Sequence, residues 1–230
     1  MKNGDHKGKG MGKALIFDSS TIISLSMNSL LGILEKLRTK NFKFIITPHV
    51  KHEIIDHPLK IKRFELEALM ILDLVKRGII EVVDHPDLEG ETQKILETAN
   101  SSFLSDGEGM RILDAGEASC FALHNLMKCE CLLAIDERTA RMLSENPDNL
   151  RALFEKKLHR PITMKGGALG IFKDVSIIRS AELCIIAYEK KLISLPAPPQ
   201  QAIDALLFGV KLKGCSISHD EIAQAKRMFK

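Results

Sequence analysis

Apolar and polar positions along this chain fall into blocks that switch between strand-like runs and a helical period. The run Ala14-Leu15-Ile16-Phe17 ends on Asp18-Ser19-Ser20-Thr21, after which Ile22, Ile23, Leu25, Leu30, Leu31, Ile33, Leu34 and Leu37 recur at helical spacing. This predicts strand, polar turn and helix, with Ser19 or Ser20 placed to cap the helix. Residues 42–46 predict a second strand closed by Thr47-Pro48, and Pro48 suits the first turn of a short helix over 49–56 that Pro58 stops. A helical period over 60–77 ends at Arg77-Gly78, as a helix C-terminus should. A third strand follows over 79–83, a helix over 87–103, and a loop at Ser105-Asp106-Gly107-Glu108-Gly109. Leu113-Asp114-Ala115-Gly116-Glu117 leads into a helix carrying Ala118, Phe121, Ala122 and Leu126, and a fourth strand over 131–135 ends on Asp136-Glu137-Arg138.

Beyond a basic-flanked helix over about 148–158, residues 160–164 predict a fifth strand, Lys165-Gly166-Gly167-Ala168 a small-residue loop and 173–192 a long helix. Past the proline cluster at 196–199, two helices over about 200–212 and 219–229 close the chain. Strands that alternate with helices imply an α/β fold, with a parallel sheet of about five strands between helical layers, a three-layer sandwich with a helical C-terminal extension. The expected organisation is a flexible basic tail over 1–13, one domain over 14–195 and a helical appendage over 196–230. Ligands of such sheets bind outside the carboxyl ends of the strands, so Asp18 and Asp136, which end two of them, are the first candidates.

Composition narrows the class. A hydrophobic share of 45%, a charged share of 27% and 8 prolines in 230 residues are those of a globular domain, not of a low-complexity or collagenous chain. No apolar run approaches the length that spans a bilayer, and the N-terminus lacks the apolar stretch of a secretory signal, so no membrane partner and a cytoplasmic location are expected. The net charge of +3 resides wholly in residues 1–13, where Lys2, Lys7, Lys9 and Lys13 face Asp5, so the body is no generic polyanion binder. Five cysteines without a CxxC pair fit a reducing compartment. His124, Cys129 and Cys131 have zinc-ligand chemistry but no standard zinc spacing, and read as buried core groups. With one tyrosine and no tryptophan, stacking platforms for bases are scarce, and sequence readout is not predicted.

Four acids stand out by position: Asp18 at the end of strand one, Glu53 in the helix after strand two, Glu117 at the start of the Ala-rich helix and Asp136 at the end of strand four. If strands one and four lie side by side, Asp18 and Asp136 meet at one sheet edge and the two helix acids fold over them. Four like charges raise one another's pKa unless a cation neutralises them, and hard oxygen ligands select Mg²⁺ or Mn²⁺. Such clusters activate water for phosphodiester hydrolysis. Taken singly, each acid also reads as a cap, a solvated helix residue or half of a surface ion pair. Their joint order is what sets them apart.

That order resembles the PIN-domain nucleases: Leu15-Ile16-Phe17-Asp18-Ser19-Ser20, then Ile46-Thr47-Pro48-His49-Val50-Lys51-His52-Glu53, then Asp114-Ala115-Gly116-Glu117-Ala118, then Leu133-Ala134-Ile135-Asp136-Glu137-Arg138. The likeness runs over about 14–195, and Gly166-Gly167-Ala168-Leu169-Gly170 before a helix resembles a prokaryotic branch of the same family. It implies a Mg²⁺- or Mn²⁺-dependent endoribonuclease, commonly the toxin of a VapC-type pair, with RNA, an antitoxin protein and a second copy of the chain as partners. By that resemblance Asp18, Glu53, Glu117 and Asp136 are the catalytic and metal-binding acids, and Ser20 orients Asp18. Asp114 lies one helical turn before Glu117, and either of the two faces the metal. Arg138 and Arg141 would hold flanking phosphates. The reading from a second class is a catalytically weak PIN-fold RNA-binding or regulatory module. A phosphatase or nucleotide-binding domain is disfavoured because no GxxxxGK[ST] loop follows strand one.

Overall fold

The structure, a computed structural model, describes residues 13–39, 42–127, 130–173 and 175–229. Apart from Lys13, the basic tail lies outside the described residues, as does Cys129. Among the described residues no helix is long and apolar enough to cross a membrane.

Eight strands run β1 (Lys13–Phe17), β2 (Phe42–Ile46), β3 (Ile80–Val82), β4 (Phe103–Ser105), β5 (Glu108–Gly109), β6 (Cys131–Ala134), β7 (Ile162–Met164) and β8 (Ile177–Ile178). Five of them form an all-parallel sheet in the order β3-β2-β1-β6-β8. β1 is central: Leu15 lies level with Phe44 of β2 on one side and Leu132 of β6 on the other. Ala14, Leu15, Ile16 and Phe17 are each no more than 1% exposed. Alternate residues of a strand face opposite sides, so burial of all four means that both faces of the sheet are covered, as in a three-layer α/β sandwich.

The helices are α1 (Ser19–Met27), α2 (Gly32–Leu37), α3 (Pro48–Lys51), α4 (Glu65–Lys76), α5 (Leu88–Ser102), α6 (Ala115–Leu126), α7 (Arg138–Glu145), α8 (Pro147–Leu158), α9 (Ser180–Glu189), α10 (Pro199–Leu212) and α11 (His219–Met228). The single helix expected over 22–37 is two, because the chain turns at Asn28–Leu31 with Ser29 in the left-handed region (φ 58°). α3 continues into a π-helical turn, His52–Asp56, and a 3₁₀ turn at Pro58–Lys60 precedes α4. Ile203, Leu207 and Val210 of α10 and Ile222 of α11 bury themselves in the same core as the sheet.

Three expectations are corrected. Residues 162–164 are not the fifth strand of the main sheet: β7 pairs antiparallel with β4, which also pairs with β5, in a separate three-stranded sheet. The predicted loop at 105–109 is the turn of the β4–β5 hairpin, with Asp106 (φ 52°) and Gly107 (φ 85°) both left-handed, the geometry that Asp-Gly favours. The fifth parallel strand is β8, inside the segment read as one long helix. The run Val175-Ser176-Ile177-Ile178, β-branched at all but Ser176, extends beside β6 before α9 begins at Ser180.

Candidate functional site

From β1 the chain proceeds to β2 and β3 on one side, and only later to β6 and β8 on the other, so the connection order reverses between β1 and β6. Ligand crevices of parallel sheets open at such a point, outside the carboxyl strand ends. Asp18 follows β1 there, its N–H donating to Ala134 O of β6 (2.9 Å). It caps α1: Oδ2 accepts from Ser20 N–H (3.1 Å) and from Ser20 Oγ (2.5 Å). Ser20 Oγ in turn accepts from Asp136 N–H (3.1 Å), so one hydroxyl ties the two strand ends together. Asp18 Oδ1 is buried and has no hydrogen-bond partner.

The opposite wall is the N-terminus of α6. Asn100 of α5 fixes the approach to it: its Oδ1 accepts from the N–H groups of Ile112 (2.6 Å) and Leu113 (3.0 Å), and its Nδ2 donates to Leu113 O (3.2 Å). Asp114 and Glu117 then form a reciprocal cap, Asp114 Oδ1 accepting from Glu117 N–H (2.9 Å) and Glu117 Oε2 from Asp114 N–H (3.0 Å). The π-helical turn brings Glu53 against the same helix end. A methyl group at Gly116 would stand 2.7 Å from both Glu53 carboxylate oxygens, so glycine here makes room for that carboxylate. Thr47, which caps α3, shares a hydrogen bond with Ser119 of α6 (2.7 Å), locking the segment that carries Glu53 to the helix that carries Glu117.

Electrostatics bind these acids into one group. Burial pushes the Asp18 carboxyl up to about 6, against the Ser20 hydrogen bonds, with Asp114 and Glu53 adding repulsion. Burial and the charges of Asp18, Asp114 and Glu137 push Glu117 up to about 9. Glu53 is raised by burial and by Asp114, partly offset by a hydrogen bond from Ser19 and by His49. Cys120, buried beneath the group with its thiol on Phe17 O (3.6 Å), is held neutral by burial and the surrounding acids. In the described residues no three His, Cys, Asp or Glu side chains converge tightly enough to hold a metal ion as they stand. The acids approach closely enough to perturb one another without closing into a ligand cage.

No family model, curated protein or solved structure matches the chain.

The structure therefore gathers Asp18, Glu53, Asp114 and Glu117, but it spends Asp136 elsewhere. That carboxylate is fully buried and accepts from Ser180 N–H (2.7 Å), Ser180 Oγ (2.6 Å) and Thr21 Oγ1 (3.4 Å), with Ser24 and Cys215 also hydrogen-bonded to it. Burial raises its pKa, and these donors oppose the rise. Asp136 also accepts Ser216 N–H at its backbone oxygen, so it fastens the start of α9 and the segment before α11 to the sheet. The acid from this strand end that acts on the cluster is its neighbour, Glu137, which caps α7. Consecutive residues of extended chain point opposite ways, so two acids after a strand do not share one environment; that parity was the available signal.

The two arginines are placed differently. Arg138 is exposed on the first turn of α7, whereas Arg141 Nε lies 3.5 Å from Glu145 on the same helix, an ion pair without hydrogen-bond alignment.

Proposed function

We propose that the chain is a divalent-cation-dependent nuclease acting on RNA, PIN-like in fold, with Asp18, Glu53, Asp114, Glu117 and Glu137 as its acid cluster. The observation that carries this reading is the elevation of acids at the sheet's switch point, by burial first and by one another's charge second, around a buried Asp18 oxygen that nothing satisfies. Mutually repelling buried carboxylates mark functional sites more often than structural ones. An all-oxygen donor set suits Mg²⁺ or Mn²⁺, and Asp18, Glu53, Asp114 and Glu137 are the residues that would draw together to hold such an ion.

When bound, such an ion supplies Lewis acidity toward a phosphodiester and offsets its charge. Ser20 holds Asp18 in one rotamer, engaging Oδ2 and leaving Oδ1 without a partner. Glu117 Oε2 is taken by Asp114 N–H, which leaves Oε1 to carry the proton that burial and the neighbouring charges favour in the metal-free protein. Arg138 is exposed beside the crevice for a flanking phosphate.

A second reading, an RNA-binding module with weak or no catalysis, is favoured by the reciprocal cap, which engages one oxygen each of Asp114 and Glu117. Cleavage of labelled RNA with Mn²⁺ or EDTA, beside Asp18→Asn and Glu53→Gln, separates the two. Cation-dependent cutting lost in both variants supports the nuclease. RNA binding without cutting, unchanged by either substitution, would support the module.

A further inference from the structure

Charge is divided unevenly along a body that is neutral as a whole. Residues 53–97, which include β3 at one edge of the parallel sheet, hold eleven Asp and Glu against six Lys and Arg. Residues 138–165, which leave β6 on the other side of β1, hold seven Lys and Arg against three Asp and Glu. This basic segment is ordered within itself. α7 starts at the acid cluster, one residue after Glu137, and α8 packs on it and then on β7. β7 pairs with β4, and just past it Lys165 N–H donates to Ser102 O (2.8 Å), two residues beyond the Asn100 that fixes the approach to α6. Both ends of the excursion therefore lie near the cluster, and the bases gather there: Arg138 and Arg141 at its start, Lys156, Lys157, Arg160 and Lys165 at its return. Glu145 and Asp148 stand at the turn between the helices, and Glu155 accepts Ile162 N–H (3.2 Å). The ion pairs of the segment are Arg141–Glu145, Arg151–Asp148 and Arg160–Asp106, so among the described residues the exposed Arg138, Lys156, Lys157 and Lys165 have no acidic partner. Lys156 and Lys157 suit the C-terminus of α8, but Arg138 is in the first turn of α7, where the helix dipole opposes a cation.

We propose that this basic flank of α7, α8 and β7 carries the phosphate backbone of the RNA strand where it runs on from the acid cluster, held by charge and without base readout; the assignment rests on the nuclease reading above. Phosphates meet free cations on this side, while the acidic segment around β3 repels them, so the strand leaves the cluster in one direction. Base readout needs exposed rings, and the flank has none among the described residues: Phe154 of α8 packs inward on Phe103, ring centroids 6.0 Å apart. Leu158 is the only large apolar side chain exposed on it, so an apolar protein surface or a bilayer would find little to bury. Contacts to phosphate alone position a strand and carry no sequence information.

The test is fluorescence anisotropy of labelled uridine and cytidine homopolymer RNAs with the intact chain in EDTA, across a series of salt concentrations, beside the double variant Lys156→Ala/Lys157→Ala and, as control, Lys62→Ala. All three lysines are exposed, and circular dichroism checks that the variants fold. EDTA keeps metal and cleavage out of the readout. Four free cations on a single strand give a slope of log affinity against log salt of about −3, at about 0.7 per phosphate neutralised, and the double variant should halve it. The double variant should bind about tenfold more weakly at low salt, Lys62→Ala should match the wild type, and the two RNAs should bind alike. No RNA binding, binding that ignores salt, a double variant equal to wild type, or a tenfold preference for one homopolymer would overturn the assignment. Self-association at low salt that the double variant abolishes, with no RNA bound, would give the flank to the acidic segment of a second copy. Metal-dependent cleavage that is indifferent to Lys156 and Lys157 removes the flank and leaves the nuclease reading intact. Flank-dependent RNA binding with no cleavage in Mn²⁺ keeps the flank and removes the nuclease reading.

Discussion

Glu117→Gln should make the metal-free protein more stable at neutral pH, and less dependent on pH. Glutamine at this position still accepts Asp114 N–H, so the reciprocal cap survives while the ionisable group is gone. In the wild type, Glu117 titrates at about 9 when folded against an ordinary 4.5. Between those values the folded chain holds a proton that the unfolded chain has released, so stability present below pH 4.5 is lost as pH rises toward 9. At pH 7 the loss is about 3.5 kcal/mol, 2.5 pH units above 4.5 at about 1.4 kcal/mol each, and it depends only on the folded value lying above 7. Asp18 behaves alike over a lower window, from 3.8 to about 6, so above pH 6.5 it no longer adds slope. Urea unfolding in EDTA from pH 5.5 to 8.5 measures this, followed by far-ultraviolet circular dichroism because the chain has no tryptophan. The wild type should lose stability with a slope near one proton above pH 6.5, and the variant should be flatter and more stable at pH 8. Wild-type stability that is level from pH 6 to 8, or a variant weaker than wild type at pH 8, would refute the reasoning.

Other substitutions separate the cluster from its supports. Gly116→Ala should gain about 1 kcal/mol if helix propensity alone decided, but its methyl would meet the Glu53 carboxylate at 2.7 Å, so thermal melts should show no gain and RNA cleavage should fall. Asp136→Ala strands the Ser180 and Thr21 donors and should cost about 3 kcal/mol in urea unfolding, with any activity loss following the unfolded fraction; loss of activity with stability unchanged would return Asp136 to the site. Glu137→Gln removes one charge that raises Glu117, so the fall in stability should level off at a lower pH than in the wild type, measured in the same urea series extended to about pH 10.

The sequence was most informative where one physical rule dominated. Ala14–Phe17, buried on both faces, reads as a central parallel strand because nothing polar interrupts it, and Asp18 after it marks the crevice. The reciprocal cap of Asp114 and Glu117 is legible too, since their three-residue spacing is the cap signature. What was hidden depended on contacts distant in sequence. The two residues of β8 pair only because β6 offers its edge, and a run so short carries no period of its own. Asp136 and Glu137 are chemically similar neighbours, and only the fold shows that Ser180, 44 residues away, claims the Asp136 carboxylate.

The central claim is that these buried acids await a divalent cation, and the most direct measurement is a calorimetric titration of the folded chain with Mn²⁺ at pH 7, beside Asp18→Asn. The account predicts binding by the wild type, a higher melting temperature when the ion is present, and loss of both in Asp18→Asn. A folded wild type that takes up no Mn²⁺ at millimolar concentration, or an Asp18→Asn protein that binds it equally well, would contradict it.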